Sequence, residues 1–359
     1  MLDVVVLYNE PVLALDHADR ASESGVLEAV EAIAAALLVG GHRPRRLAVA
    51  SDPAALVPLV ETLSHRPPAI VFNLCEGLAG SGGGESQVAG LLELFGAAIT
   101  GASSDCLALV RDKPRAKWLF AGAGLPTPTF QLVRPDEPLE SHAFQHALAQ
   151  GPLIVKPARE DASLGIGRQS VVADFDALVE QIERVRSLYG EVLVERFIAG
   201  REFNAALVDL GSGLAGQPWE EAAEGSLRML PLSEIEFAPG GAQLVTYEAK
   251  WQPDSADFGG TPVRCPADAP PELVDRIARL ALEAFRLTGC RQYARVDLRV
   301  DDHGQPFILE VNANPDLSPS AGFARALAAS GTAYNDFICL LVEDAARRAE
   351  QAAKKRAFD

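Results

Sequence analysis

The chain has 359 residues, 48% of them hydrophobic and 23% charged, which excludes a disordered or fibrous protein and predicts two or three domains with sizeable cores. Its formal net charge of −17 sets nucleic acid and anionic membrane surfaces aside as main partners, because both need an electropositive face. No apolar run reaches the roughly 18 residues of a membrane span, and the opening segment has an acidic residue where a leader needs basic ones, so a cytoplasmic protein is expected.

Residues 1–110 alternate short apolar runs with helical patterns. Val4 to Tyr8 is followed by a helix carrying Val26, Leu27, Val30, Ile33 and Leu37 and stopped by Gly40 and Gly41; further runs lie at Leu47 to Ala50, Ala69 to Phe72 and Ala98 to Thr100. Strand-helix-strand order predicts a doubly wound, mostly parallel sheet, and the glycine-rich stretch between Glu76 and Glu85 falls where ligands bind such sheets. Residues 111–198 read as a compact α+β unit: a helix ending in GAGLPTP, strands at Leu153 to Lys156, Gln169 to Val172 and Val192 to Glu195, and a helix from Asp174 to Tyr189. Residues 199–359 read as a second α+β unit with antiparallel strands near Phe203 to Val208, Met229 to Ile235 and Leu244 to Tyr247. A long loop over 252–271 follows, then a helix from about Glu272 to Leu287, and strands Tyr293 to Val300 and Pro306 to Val311 flank a tight turn. Two further helices close the chain. The five cysteines lack metal-ligand or disulfide spacing and read as small core or surface residues.

The string GSGLAG at 211–216 matches a dinucleotide fingerprint, but Gln217, Pro218 and Trp219 follow it in place of an amphipathic helix, so it reads as a hairpin turn. Gly-Lys occurs nowhere, which excludes a Walker-type loop, and no GxSxG elbow occurs. Lys156 ends an apolar strand, where a lysine needs an anionic partner, and the Ser163 to Gly167 turn offers backbone N–H groups to phosphate. Glu195 and Glu202 flank a glycine-containing bend with the spacing to accept hydrogen bonds from a base amine and from sugar hydroxyls. Taken singly, Lys156 also fits a lysine that snorkels to the surface, and the two glutamates also fit a solvated pair. The strongest local signal is YARVDLRV followed by PFILEVNANP. Period two puts Arg295 and Asp297 on one face of a strand and Glu310 and Asn312 on one face of the next, a hard, oxygen-only set suited to Mg²⁺.

In this order, DKPRAKWLFAGAGLPTP, PLIVKPA with SLGIG, EVLVERFIAGREF, LPLSEIEF, YEAKW, YARVDLRV and ILEVNANP resemble the ATP-grasp superfamily, and within it the D-alanine:D-alanine ligases. The resemblance implies two α+β domains clasping ATP, with Lys113 and Lys156 on its phosphates and the loop from Ser163 through Gly165 to Ile166 as a phosphate lid. It gives adenine to Glu195 and the backbone of Arg196, Phe197 and Ile198, the ribose to Glu202, and the terminal phosphate to Lys250. Asp297, Glu310 and Asn312 would hold two Mg²⁺, with Mn²⁺ as a substitute, while Arg295 would stabilise an acyl phosphate and the tetrahedral intermediate. The implied activity joins a small carboxylate to an amine, amino acids being the expected substrates, in a chain expected to form a homodimer; a non-amino-acid carboxylate and a non-catalytic nucleotide-binding regulator are the competing readings. Departures fall on the substrate side. Asn73-Leu-Cys-Glu-Gly77 stands where those ligases carry His-Gly, Pro315-Asp316 where they carry Pro-Gly, and Ala321, with Ser318 and Ser320 nearby, where they carry a serine. Glu10 and Glu76, at predicted strand ends, are candidates for a substrate ammonium, and the 252–271 loop is the candidate lid over the reacting groups.

Overall fold

The computed structural model describes the chain except for residues 13–19, 21–23, 51–52, 65–68, 79–81, 140, 162, 211–225, 238–242, 253–259 and 357–359. Strand β1 (Asp3–Asn9) keeps Val4 to Leu7 buried in one continuous run, because a central parallel strand is covered on both faces. It lies between β2 (Arg43–Val49) and β3 (Ile70–Leu74), and β4 (Ala98–Ile99) completes a parallel sheet in the order β2-β1-β3-β4. Helices α1 (Val26–Val39), α2 (Pro53–Leu63) and α3 (Gly84–Leu94) fall between these strands. Val26, Val30, Ile33 and Leu37 form the buried stripe of α1, as their spacing predicts. Next, α4 (Ser104–Arg111) meets α5 (Lys113–Gly122) at Asp112, whose carboxylate accepts the Arg115 N–H and caps the second helix.

The second sheet is antiparallel, ordered β5-β8-β6-β7, and comprises β5 (Phe130–Val133), β6 (Leu153–Pro157), β7 (Val171–Val172) and β8 (Val192–Arg196). Helices α6 (Ser141–Leu148) and α7 (Phe175–Tyr189) cover it with Phe144, Leu178, Ile182 and Val185, giving a core drawn only from residues 133–194. The third sheet contains β9 (Arg201–Asp209), β10 (Leu227–Met229), β11 (Ser233–Ile235), β12 (Val263–Arg264), β13 (Gln292–Val300) and β14 (Pro306–Asn312) in the order β12-β11-β9-β13-β14, with β10 also pairing β9. Helices α8 (Tyr247–Trp251), α9 (Pro271–Leu287), α10 (Gly322–Ala329) and α11 (Tyr334–Arg356) complete the chain. One large core joins Val4, Val30 and Phe72 to Val208, Tyr293, Phe323 and Phe337, so the first and third sheets share their interior.

Several expectations are corrected. The predicted strand Leu244 to Tyr247 is the approach to α8, because the Thr246 hydroxyl accepts the Ala249 N–H and starts a helical turn. Met229 to Ile235 divides into two strands about Pro231, and only Val171 and Val172 of the run from Gln169 are extended. The lid expected over 252–271 is shortened: residues 262–267 are fastened to the third sheet through Glu236 N–H to Pro262 O (2.9 Å) and Ala267 N–H to Leu232 O (2.7 Å), while 253–259 lie outside the described residues. The 211–216 string also lies outside them, although the strands on either side pair antiparallel, Asp209 opposite Leu227. All five cysteines are free thiols, and the buried Sγ atoms of Cys106 and Cys290 touch at 3.5 Å. Among the described residues no helix is long and apolar enough to cross a membrane.

Candidate active site

Antiparallel register builds the floor of the site. Asp297 of β13 faces Glu310 on β14 and Asn204 on β9, and Arg295 faces Asn312, with a bulge between Asp297 and Leu298. The Arg295 guanidinium grips Asp297 through two parallel bonds of 2.7 and 2.8 Å, and the Asn204 amide donates to the same carboxylate at 2.8 Å. Burial alone would push Glu310 up; the charges of Lys113, Lys156 and Arg295 outweigh it and hold the carboxyl at about 2. Asn312 accepts the Asn314 N–H through its side-chain oxygen at 2.9 Å.

Lys113 and Lys117, four residues apart on α5, project from one face of the helix. Lys113 donates to Asp161 (2.6 Å) and to the Glu160 carbonyl (2.8 Å), and its Nζ stands 3.3 Å from Glu310. Lys117 lies 2.9 Å from one oxygen of Glu195, Lys156 lies 2.9 Å from the other, and the side chains of Lys117 and Glu195 are each 1% exposed. Lys117 also donates to Thr127, whose hydroxyl donates to the Ile308 carbonyl. Burial lowers the Lys117 ammonium to about 8, with Glu195 opposing and Lys156 reinforcing the shift; Glu195 is held below the carboxylate range because the two lysines overcome its burial. The Glu195 side chain, for which the resemblance implies contact with adenine, has a lysine on each oxygen, and the backbone of Arg196, Phe197 and Ile198 follows it at the end of β8. Lys117 escaped the sequence reading, though its i,i+4 spacing from Lys113 was the signal that could have found it.

After β6 the chain turns tightly: the Leu164 N–H donates to Asp161 O and the Ile166 N–H to Ser163 O, both at 3.0 Å, with Ser163 and Gly165 at φ of 63° and 73°. A Cβ on Gly165 would lie 2.7 Å from Pro157 and 2.8 Å from Tyr189, so glycine is required there. Through Tyr247 N–H to Ile166 O (3.0 Å) this loop is joined to α8, which carries Lys250. Lys250 meets solvent in the cleft but is walled by protein, and desolvation, with the Arg295 charge, lowers its pKa against the pull of Asp297, Glu310 and Glu76. Glu202 is buried on β9 with Arg299 at 3.6 Å; burial raises it to about 7, Arg299 opposing and Asp297 and Glu310 adding. Arg299 stacks on Phe197 and Phe237, 4.7 and 5.3 Å from their ring centres.

On the substrate side, Glu76 follows β3, its N–H on the Asn9 side chain (3.1 Å), and the protein around it together with Asp316 raises its carboxyl to about 7 against the charge of Lys250. Asp316 takes the N–H and the hydroxyl of Ser318 at 2.8 and 3.0 Å; Ser318 and Ser320 hydroxyls stand 3.4 Å apart, and Ser320 donates to Glu28 at 2.9 Å. Glu10 follows β1 directly, exposed, with its N–H on Val49 O. The acid that sequence reasoning passed over is Glu85, buried in the first turn of α3 and hydrogen-bonded by Asn314 at 3.2 Å; burial, then Asp161, raises it to about 8. A glutamate in a glycine-rich run reads as solvated, and only the contact with residue 314 reveals otherwise.

Among the described residues no three His, Cys, Asp or Glu side chains gather as a metal cage. The oxygen donors here are two carboxylates and one amide, with Glu310 held ionised, a set that fits a hard divalent ion whose remaining ligands come from phosphate and water.

Comparison with known proteins agrees with this geometry. The family model D-ala D-ala ligase C-terminus matches residues 119–343. An uncharacterised protein of Sinorhizobium fredii, y4sG, is 33% identical over 89% of this chain and 87% of its own length, and the D-alanine–D-alanine ligase of Hydrogenovibrio crunogenus is 30% identical over 82% and 83%. The crystal structure of the D-alanine–D-alanine ligase of Bacillus anthracis complexed with ATP superposes with a TM-score of 0.74 at 20% identity, covering 98% of this chain and all of that one. An ATP-grasp fold, the match over more than half the chain, and relatives of this similarity together show that the chain belongs to the D-alanine–D-alanine ligase family.

Proposed function

We infer that this protein is an ATP-dependent ligase that joins the carboxylate of one small molecule, an amino acid, to the amine of another through an acyl phosphate, on a substrate side rebuilt relative to the D-alanine–D-alanine ligases. The observation that carries the reading is the convergence of Lys113, Lys156, Lys250 and Arg295, from four separate elements, on the Asp297–Glu310 pair. Bringing a triphosphate against a carboxylate requires such fixed positive charge. Asp297, Glu310 and Asn312 would hold Mg²⁺, which supplies Lewis-acid neutralisation of the phosphates when bound. Lys113 and Lys156 would bind and orient phosphate oxygens, and Lys250 the transferred group. Arg295, which reaches the site beside Asp297, would face the oxyanion of the tetrahedral intermediate formed on amine attack. The nucleotide base would stack at Phe197 beside the 196–198 backbone, with Glu202 at the ribose.

The rebuilt side is supported by Asp316, whose carboxylate already occupies the N–H and hydroxyl of Ser318, so those donors are turned away from a substrate carboxylate. Phosphate release from Mg-ATP, measured with single and paired D- and L-amino acids and coupled to mass spectrometry, tests the reading. Release with an amide product from a pair other than two D-alanines is expected, and Glu310→Ala is expected to abolish it while retaining the circular dichroism of the parent. Unchanged turnover in Glu310→Ala would sink the metal assignment.

A further inference from the structure

Arg111 lies at the last turn of α4, with its side chain 13% exposed, and nothing in the phosphate or metal reading uses it. Its Nη1 donates to Asp161 at 2.9 Å, and its Nη2 stands 3.7 Å from Glu160. A methyl group at Gly82 would sit 1.7 Å from Nη2, so the guanidinium rests directly on the backbone of the glycine-rich loop. One side chain therefore bridges three segments: the end of α4, the loop before α3, and the start of the 160–167 turn. Asp161 receives Arg111 on one oxygen and Lys113 on the other. Lys113 is also within 3.3 Å of Glu310, which places the Asp161 carboxylate on the very cation that faces the metal carboxylates. The same residue begins the turn, its carbonyl accepting the Leu164 N–H, and the turn continues to α8 through Ile166.

We propose that Asp161 is an internal stand-in for a nucleotide phosphate, holding Lys113 and the Ser163–Ile166 turn in place before nucleotide binds, and that Arg111 is the positioning residue that keeps Asp161 neutralised once phosphates take Lys113. Asp161 brings one charge, half open to solvent, to Lys113, whereas a triphosphate brings several, so phosphate displaces it. Without Arg111, the released carboxylate would face the incoming phosphates as a bare like charge. The proposal rests on the nucleotide-phosphate reading of the cleft, and two readouts separate the two.

Hydrogen exchange on the ligand-free protein addresses the latch alone. Arg111→Met and Asp161→Asn should each speed exchange at the Leu164 and Ile166 amides by about tenfold or more; unchanged exchange in both variants overturns the latch whatever the nucleotide does. Calorimetric titration with Mg-ATP addresses the exchange of partners. Removing a charge that faces the phosphates outweighs losing one half-exposed ion pair, so Asp161→Asn should lower Kd roughly threefold to tenfold, whereas Arg111→Met should raise it about tenfold. Because Arg111 acts through Asp161, Arg111→Met in the Asp161→Asn background should change Kd by less than about twofold. Persistence of the full tenfold loss in that background would show Arg111 touching phosphate directly and overturn the proposal, as would weaker binding by Asp161→Asn. A parent protein that binds no Mg-ATP removes the nucleotide reading and the stand-in role with it, leaving the exchange data to decide whether Arg111 fastens the turn.

Discussion

Replacing Glu195 by Gln leaves Lys117 and Lys156 facing each other without a counter-anion. Lys156 borders the cleft and can turn toward Glu310, but Lys117, 1% exposed and held by Thr127, cannot leave. Breaking a buried pair from one side costs about 3–5 kcal/mol. An independent bound comes from proton release: neutralising a lysine of ordinary pKa 10.5 at pH 7 costs about 1.4 kcal/mol per unit, or about 5 kcal/mol, and the penalty cannot exceed that. In the variant the unfolded chain binds the proton that the folded chain has shed, so its stability must rise by about 2.7 kcal/mol between pH 7 and pH 9; the parent, whose Lys117 already titrates near 8, rises by about half of that, so the deficit should shrink by about 1.4 kcal/mol. Lys117→Met, which leaves Glu195 paired with Lys156, should lose only about 1–2 kcal/mol, and the double variant should be more stable than Glu195→Gln alone. Urea unfolding of the three variants at both pH values measures all of this. A Glu195→Gln deficit below about 1 kcal/mol, or one indifferent to pH, would refute the view that this carboxylate neutralises a buried lysine.

Glu85 keeps its proton to about pH 8 in the folded chain but ionises near 4.5 when unfolded. Between those values the folded state carries the extra proton, so the parent should lose stability as pH rises from 4.5 to 8, and Glu85→Gln, which cannot ionise, should flatten that slope in urea melts across the window. Gly165→Ala places a Cβ against Pro157 and Tyr189 at positive φ; a loss of about 1–2 kcal/mol and a weaker Mg-ATP titration are expected, and parent-like values for both would show that the turn relaxes freely. Gln292→Ala removes the acceptor for the Gly101 N–H and the donor to Leu341 O and Asp344 in a fully buried position, which should lower stability by about 2–3 kcal/mol by the same method.

What the sequence disclosed and what it withheld follow from the range of the interactions. Arg295, Asp297, Glu310 and Asn312 were legible as one cluster because strand periodicity and a short turn fix their register locally, and the observed pairing joins Arg295 to Asn312 and Asp297 to Glu310. Lys156 announced an anionic partner by sitting in an apolar strand, yet nothing in the one-dimensional pattern said that the partner was Glu195, 39 residues on, or that Lys117 would claim its other oxygen. The misread Leu244 to Tyr247 run shows the converse: apolar spacing resembling a strand yielded to a threonine cap that starts a helical turn. Arg111 with Asp161, and Glu85 with Asn314, depend on loops converging from distant segments, where residue type carries little signal.

The separate interior of the second sheet bears on what joins it to the rest of the chain. The hydrophobic core of the second sheet is drawn only from residues 133–194, whereas the first and third sheets share a core through Tyr293, Phe323 and Phe337, and α5 joins the neighbouring core of the third sheet through Ala116 and Phe120. Lys117 stands on α5, Lys156 and Glu195 stand on the second sheet, and their contact is sealed from water, so the junction between the two is a buried charge cluster. Salt, which weakens ion pairs at a surface, has little purchase on it. That contact is thereby insulated from ionic strength, while the pair of Lys113 with the half-exposed Asp161 remains open to it.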